Sequence, residues 1–229
     1  MNHPDIPMHI IATIHTDFPS KFGIPRQSGL VPSLKATIVF EPAYRNGDAL
    51  RGLEDFSHLW LIWHFSKAER DTWSPTVRPP RLGGNARMGV FATRSPFRPN
   101  AMGLSCVKLE AVRHDATLGW VIDVSGADLM DGTPIFDIKP YLPYADCQDE
   151  AVGGFATSAP SASLTVTFAD GVIVPENNRQ ALADVLAQDP RPRYQDDPTR
   201  VYGFTFAHLE VKFTVDGDIL TVIDIADAE

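Results

Sequence analysis

Two cysteines in 229 residues leave little room for covalent scaffolding. Cys106 lies inside an apolar run and Cys147 beside acids, in a spacing that matches neither a disulfide framework nor a metal or redox motif. Long hydrophobic runs are equally scarce, and HLWLIWHF, among the most apolar stretches, is far too short to cross a bilayer. The opening MNHPDIPMHI has neither the basic patch nor the apolar stretch of a signal peptide, so a cytoplasmic protein with no membrane partner is expected. No G-x-G-x-x-G follows a strand-like run, and GNARMG, whose glycines have P-loop spacing, continues into Val90 where a phosphate-binding lysine should stand. The seven histidines include no i,i+4 pair and no accompanying cysteine, which argues against a metal site. His58 and His64 flank LWLIW and read as core-edge groups. Ser105, in GLSCV, lacks the second glycine of a nucleophile elbow, which argues against serine-hydrolase chemistry.

What is present is a globular chain, 44% hydrophobic and 21% charged, able to bury one good core and a smaller second one. The net charge of −9 speaks against coating nucleic acid through bulk electrostatics. The distribution says more than the sum. From Thr72 to Leu109 there is no Asp or Glu, while Arg78, Arg81, Arg87, Arg94, Arg98 and Lys108 fall in that window. Such a segment is a local anion site in an acidic protein.

Short β-branched or alternating runs punctuated by Gly, Pro, Asn and Asp predict strands at residues 9–16, 35–40, 88–93, 105–112 and 118–126. Five or six strands at this spacing suggest an antiparallel barrel or sandwich. GDALRGLEDF reads as an early helix and SHLWLIWHF as the strand after it. Beyond KPYLPYAD the texture changes to a linker and strand in SAPSASLTVTF and a helix in PENNRQALADVLAQ. Two further strands follow, VYGFTFAHLEVKFTV and ILTVIDI. The expected fold is mainly β: a small antiparallel β-barrel over residues 1–150 and a smaller α+β unit over residues 151–229, with the boundary near residues 147–160.

Three loops carry polar residues that packing alone does not require: IPRQSG (24–29), the arginine-rich 77–105, and DLMDGTPIFDIKPYLPY (128–144). In the third, Asp128, Asp131, Asp137 and Lys139 stand among prolines and glycines that hold side chains in place with little entropy loss. Together they look like a binding site. The plainer reading is that Arg94 and Arg98 pair with Asp131 and Asp137 and pin loops to the barrel.

RGLEDFSHLW, TVRPPRLGGNARMGVFATRSPFRPNAMGLS, DLMDGTPIFDIKPYLPYAD and DVLAQDPRPRY resemble, almost word for word, the TsaA-like (TrmO) tRNA methyltransferases, and the likeness covers nearly the whole chain. The resemblance implies S-adenosylmethionine as cofactor and, as substrate, the N6 nitrogen of N6-threonylcarbamoyladenosine, just 3′ of the anticodon in threonine tRNA. It also implies a β-barrel unlike the Rossmann methyltransferases and a homodimer with the site near the subunit interface. On its motifs the cofactor site comprises Pro25, Arg26 and Gln27, then Phe65, Ser66 and Lys67, then Arg94 and Leu104, and Asp128, Leu129, Met130 and Asp131. Ser66-Lys67 departs from the His-Gln or Asp-Gln of the family, so a contact there would run through backbone.

For that chemistry, a carboxylate such as Asp128 or Asp131 suits the amino or ribose groups of the cofactor and Arg94 suits its carboxylate. The acceptor nitrogen has a delocalised lone pair, so a base helps; Asp137, Lys139 and Tyr141 are the candidates for base or orienting group. Arg98 and Asn100 are expected to fix the elbow or meet RNA phosphate. Asp189, Arg191, Arg193 and Tyr194 suit an anticodon loop, or else form a charged turn after a helix. Two rival functions remain open: a non-catalytic, cofactor-sensing RNA-binding module, and a small-molecule methyltransferase on the same barrel.

Overall fold

A computed structural model describes residues 6–68, 72–157, 164–191 and 197–228. Its strands and helices run β1 (Ala12–His15), β2 (Lys35–Phe40), β3 (His58–His64), β4 (Thr76–Val77), β5 (Met88–Gly89), β6 (Met102–Asp115), β7 (Gly119–Ser125), β8 (Thr133–Pro140), α1 (Pro143–Asp146), β9 (Thr165–Phe168), α2 (Glu176–Ala187), β10 (Tyr202–Phe206), β11 (Leu209–Asp216) and β12 (Ile219–Asp227). Six of these close a barrel in the order β1-β2-β7-β6-β3-β8, with every pairing antiparallel. Closure removes both sheet edges. A second sheet, β10-β11-β12-β9, carries α2; its β12–β9 pair is parallel. The molecule is thus mainly β, with an α+β C-terminal part.

Alternation along each strand decides what faces inward. In β3, Leu59, Leu61 and Trp63 are buried while His58, Trp60, Ile62 and His64 are less so. The inward set packs with Ile14, Ile38, Val107, Ile122 and Ile135 as the barrel core. A second core lies under the C-terminal sheet, where Leu182, Val185 and Leu186 of α2 meet Phe206, Phe213, Leu220 and Val222. Phe18, Val31 and Leu34, from the long β1–β2 connection, belong to this second core. That connection therefore leaves the barrel, is anchored by the C-terminal sheet and returns. Ser33 Oγ donates to Asp184 of α2 at 2.5 Å, and the Ala207 amide donates to the Asp17 carbonyl at 3.0 Å.

Several sequence expectations are corrected. GDALRGLEDF forms two short 3-10 turns, Gly47–Leu50 and Leu53–Asp55, not a helix. Gly52 between them has φ 83°, a left-handed value that stops helix propagation. Of the run 88–93 only Met88–Gly89 is strand; Val90–Ala92 turns away. The polar third loop contains the strand β8, which pairs with both β1 and β3. VYGFTFAHLEVKFTV is two strands, so three rather than two close the chain: Ala207 and His208, with φ 49° and 65°, make a tight turn without the expected Gly or Asn. The linker positions 158–163 lie outside the described residues.

Candidate active site

Three segments distant in sequence meet along β6. Between Met102 and Val107 this strand pairs with β3 alone; its partnership with β7 begins at Lys108, beyond which a bulge falls between Leu109 and Ala111. The loop 24–29 fills the vacated side. Ser28 Oγ accepts from the Cys106 amide at 3.1 Å. The Gly29 amide donates to the Gly126 carbonyl at 2.8 Å, and the Gly126 amide donates to Leu34 at 2.9 Å. Gly126 has φ 75°, a left-handed value that strains a residue carrying a side chain, so the backbone here favours glycine.

On that frame Arg94 donates a hydrogen bond to the Gln27 side chain, and Gln27 donates in turn to the Arg26 carbonyl. Pro25 is buried. Behind the pair runs a chain of hydrogen bonds: Trp63 Nε1 donates to Ser105 Oγ at 3.0 Å, and Ser105 Oγ donates to Asp128 Oδ1 at 2.6 Å. Burial pushes the Asp128 carboxyl above its ordinary value; Ser105, backbone amides including that of Ser28, and the nearby Arg94 charge pull the other way. Leu129 is buried in the barrel core and Met130 is half-buried.

The elbow after β5 is held by its own backbone. Arg98 donates to the Thr93 and Ser95 carbonyls at 3.0 and 3.4 Å, Thr93 Oγ1 donates to Val90 at 2.8 Å, and the Ser95 amide donates to Thr93 Oγ1 at 3.3 Å. Arg98 is thus a brace for the turn. Asn100 is exposed, and its carbonyl accepts from the Met102 amide at 2.7 Å. The pairing of Arg94 and Arg98 with Asp131 and Asp137 is not what forms. Asp131 takes His15 Nδ1 at 3.2 Å and the Thr16 amide at 3.1 Å, and faces an open cleft of about 460 Å³ with Asp17, Lys35 and His208. Asp137 pairs with Lys139 at 2.9 Å.

Phe65, Ser66 and Lys67 form the turn leaving β3. Phe65 packs on Trp63 with ring centroids 4.1 Å apart and its amide donates to the Ala101 carbonyl at 2.8 Å; Lys67 is exposed. Register places Ile62 opposite both Asp137 and Leu104, and Trp60 opposite both Lys139 and Cys106. Asp137 and Leu104 therefore share the outer barrel face, two strand spacings or about 10 Å apart. Leu104 is 54% exposed there. Tyr141 follows β8 and tilts against Trp60 at 5.9 Å; loss of surrounding water, then the neighbouring Cys147 and Asp146, push its phenol up.

In the C-terminal part, Asp189 ends α2 in a left-handed conformation, φ 51°, and takes Arg191 in a two-pronged pair at 2.8 and 3.1 Å. The Arg191 side chain is only 10% exposed, so this pair staples the helix end. Arg193 and Tyr194 lie outside the described residues. Sequence reasoning passed over Trp63, Ser28 and Gly103 as site residues and weighed Ser105 only as a nucleophile. The partners that give Trp63 and Ser105 their roles stand 42 and 23 residues away, out of reach of local pattern.

Comparison with known proteins shows the family. The model of the tRNA-methyltransferase O N-terminal domain matches residues 13–147, and that of the TrmO C-terminal domain matches residues 164–228. A tRNA (adenine(37)-N6)-methyltransferase of Escherichia coli is 44% identical over 216 residues, covering 90% of this chain and 91% of its own. A putative S-adenosylmethionine-dependent methyltransferase of Pseudomonas aeruginosa is 41% identical, covering 96% and 97%. A crystal structure of TrmO from the same species superposes with a TM-score of 0.80 at 33% identity, covering 99% of each chain. With both family models matched in order along the chain, the protein belongs to the tRNA-methyltransferase O family.

Proposed function

We propose that this protein transfers the methyl group of S-adenosylmethionine to N6 of adenosine 37 in tRNA, the reaction in the name of its Escherichia coli relative, with the threonylcarbamoylated base of threonine tRNA as acceptor. In this reading it is a cytoplasmic homodimer, residues 1–150 hold the cofactor, and residues 151–229 form a smaller unit that braces the cofactor loop and contributes to tRNA binding. The observation that carries the reading is the meeting of Arg94, Gln27 and Asp128, from three separate segments of a chain in this family.

The residues present fit the cofactor. A guanidinium on an exposed elbow suits the carboxylate of an amino-acid moiety. Asp128, lifted by burial and held by Ser105, recovers charge stabilisation when an ammonium or ribose hydroxyl comes to it. Leu104 and the half-buried Phe65 supply apolar surface. When bound, S-adenosylmethionine supplies a methyl group on a sulfonium, electrophilic without further activation. The protein's own work is to position the acceptor in line and to remove its proton. Asp137 Oδ2, held by Lys139, accepts the proton from the acceptor nitrogen, while Tyr141 on Trp60 borders the same face.

Isothermal titration with S-adenosylmethionine tests the site. Arg94→Ala or Asp128→Ala each removes a hydrogen bond to a charged group, so affinity falls roughly 10- to 100-fold. Wild-type affinity in both variants would remove the site from this end of β6.

A further inference from the structure

Two large aromatic rings stand in water on the arginine-rich segment that leads to Arg94. Trp73 is 52% exposed and Phe91 is 73% exposed; their centroids lie 6.2 Å apart with planes at 32°. Exposed paired aromatics on a soluble protein mark a contact surface. They are rigidly mounted: the Val90 amide donates to the Pro75 carbonyl at 2.9 Å, Val90 itself is buried, and β4 pairs with β5 through Thr76–Gly89 and Val77–Met88. This hairpin belongs to the stretch from Thr72 to Leu109 that contains no acid. Arg78 and Arg87 are exposed on it, Arg87 aimed by a 3.0 Å hydrogen bond to Thr76 Oγ1. Phe91 stands three residues before Arg94 in the chain, on the same arginine-rich segment as the candidate cofactor site.

We infer that Trp73 and Phe91, with Arg78 and Arg87, form the platform on which unpaired bases of the RNA substrate stack while the arginines take the flanking phosphates. The inference rests on the tRNA methyltransferase reading and adds the surface that holds the loop. Flat rings beside exposed arginines suit the splayed bases and backbone of a single-stranded loop. A second copy of the chain is the poorer occupant. A two-fold contact through this patch would set its exposed arginines against those of the partner. The inference also moves the main RNA contact from the 189–194 segment, where Arg191 is committed to Asp189, onto the β4–β5 hairpin.

The test is fluorescence anisotropy with a labelled threonine tRNA anticodon stem-loop, beside calorimetry with S-adenosylmethionine and methyl transfer to whole tRNA by the wild type. Trp73→Ala/Phe91→Ala weakens stem-loop binding about 5- to 100-fold, and Trp73→Phe/Phe91→Tyr, which keeps both rings, stays within about threefold of wild type. Cofactor affinity is unchanged in both, which excludes a folding defect. Arg78→Ala and Arg87→Ala each lower the slope of log affinity against log salt by about one. A double alanine variant that binds the stem-loop as the wild type does, while the wild type methylates tRNA, overturns the platform alone. A double variant whose sedimentation shows a lost subunit contact assigns the patch to a second copy and overturns it too. A wild type that neither binds nor methylates tRNA overturns the functional reading and this inference with it.

Discussion

Gly103→Ala is the sharpest single perturbation of the proposed site, because one added methyl acts on the cofactor cradle through a buried ring. A Cβ at Gly103 would lie 2.2, 2.4 and 2.6 Å from three atoms of the Trp63 indole. Trp63 is 7% exposed, walled by the barrel core and packed at a tilt against Phe65, so it has no open direction in which to swing. Gly103 and Trp63 are register partners on β6 and β3, which fixes the encounter in the backbone itself. Overpacking of this kind costs about 1–3 kcal/mol. Displacing Trp63 also strips the donor from buried Ser105, whose own hydroxyl holds Asp128, and an unmatched buried polar group costs about 1–3 kcal/mol more. The sum, roughly 2–6 kcal/mol, corresponds to a drop in Tm of about 5–20 °C for a chain of this size. Calorimetric melting reads the first effect. Titration with S-adenosylmethionine at a temperature where the variant remains folded reads the second, a loss of affinity of about tenfold or more. A variant melting within about 2 °C of wild type with unchanged affinity would refute the reasoning that packing at Trp63 sets the Asp128 carboxylate.

The remaining predictions concern charge. Glu110, at the β6 bulge, accepts from Ser125 at 2.6 Å and pairs with Lys35 and Lys108, and these contacts hold its carboxyl at about 2 instead of 4.5. A depressed carboxylate contributes stability above its unfolded value that is lost as pH falls, so Glu110→Gln should flatten the acid limb of stability between pH 4.5 and about 2; melting curves across that window check it. Asp137→Asn keeps the shape of the outer face but cannot take a proton, so kcat should fall about 100-fold or more with cofactor affinity intact; single-turnover methylation separates the two.

How much of this was legible in sequence differs by element. KATIVF coincides with β2, and PENNRQALADVLAQ with α2, because each follows one period with a clear start and stop. β8 was hidden: Pro134 and Pro140 punctuate it, and Asp137 and Lys139 face outward where an apolar pattern was sought. GDALRGLEDF has helical composition but buries only Leu50 in its first turn and breaks at Gly52, so nothing drives a full helix. The charged residues of the site were visible as a run of arginines without acids. Their partners were not: Arg94 spends its hydrogen bond on Gln27, 67 residues away, and Arg98 on its own turn, where sequence suggested Asp131 and Asp137. Barrel closure decides these pairings, and register across six strands is a property of the whole sheet.

The most direct measurement is methyl transfer itself. Purified protein is incubated with labelled S-adenosylmethionine and tRNA from cells able and unable to make threonylcarbamoyladenosine, and the nucleosides are resolved by mass spectrometry. The account predicts one added methyl group on the threonylcarbamoylated adenosine and none on tRNA lacking it. No transfer to either tRNA, with cofactor binding intact by calorimetry, would contradict it and leave the barrel a cofactor sensor or an enzyme of small molecules.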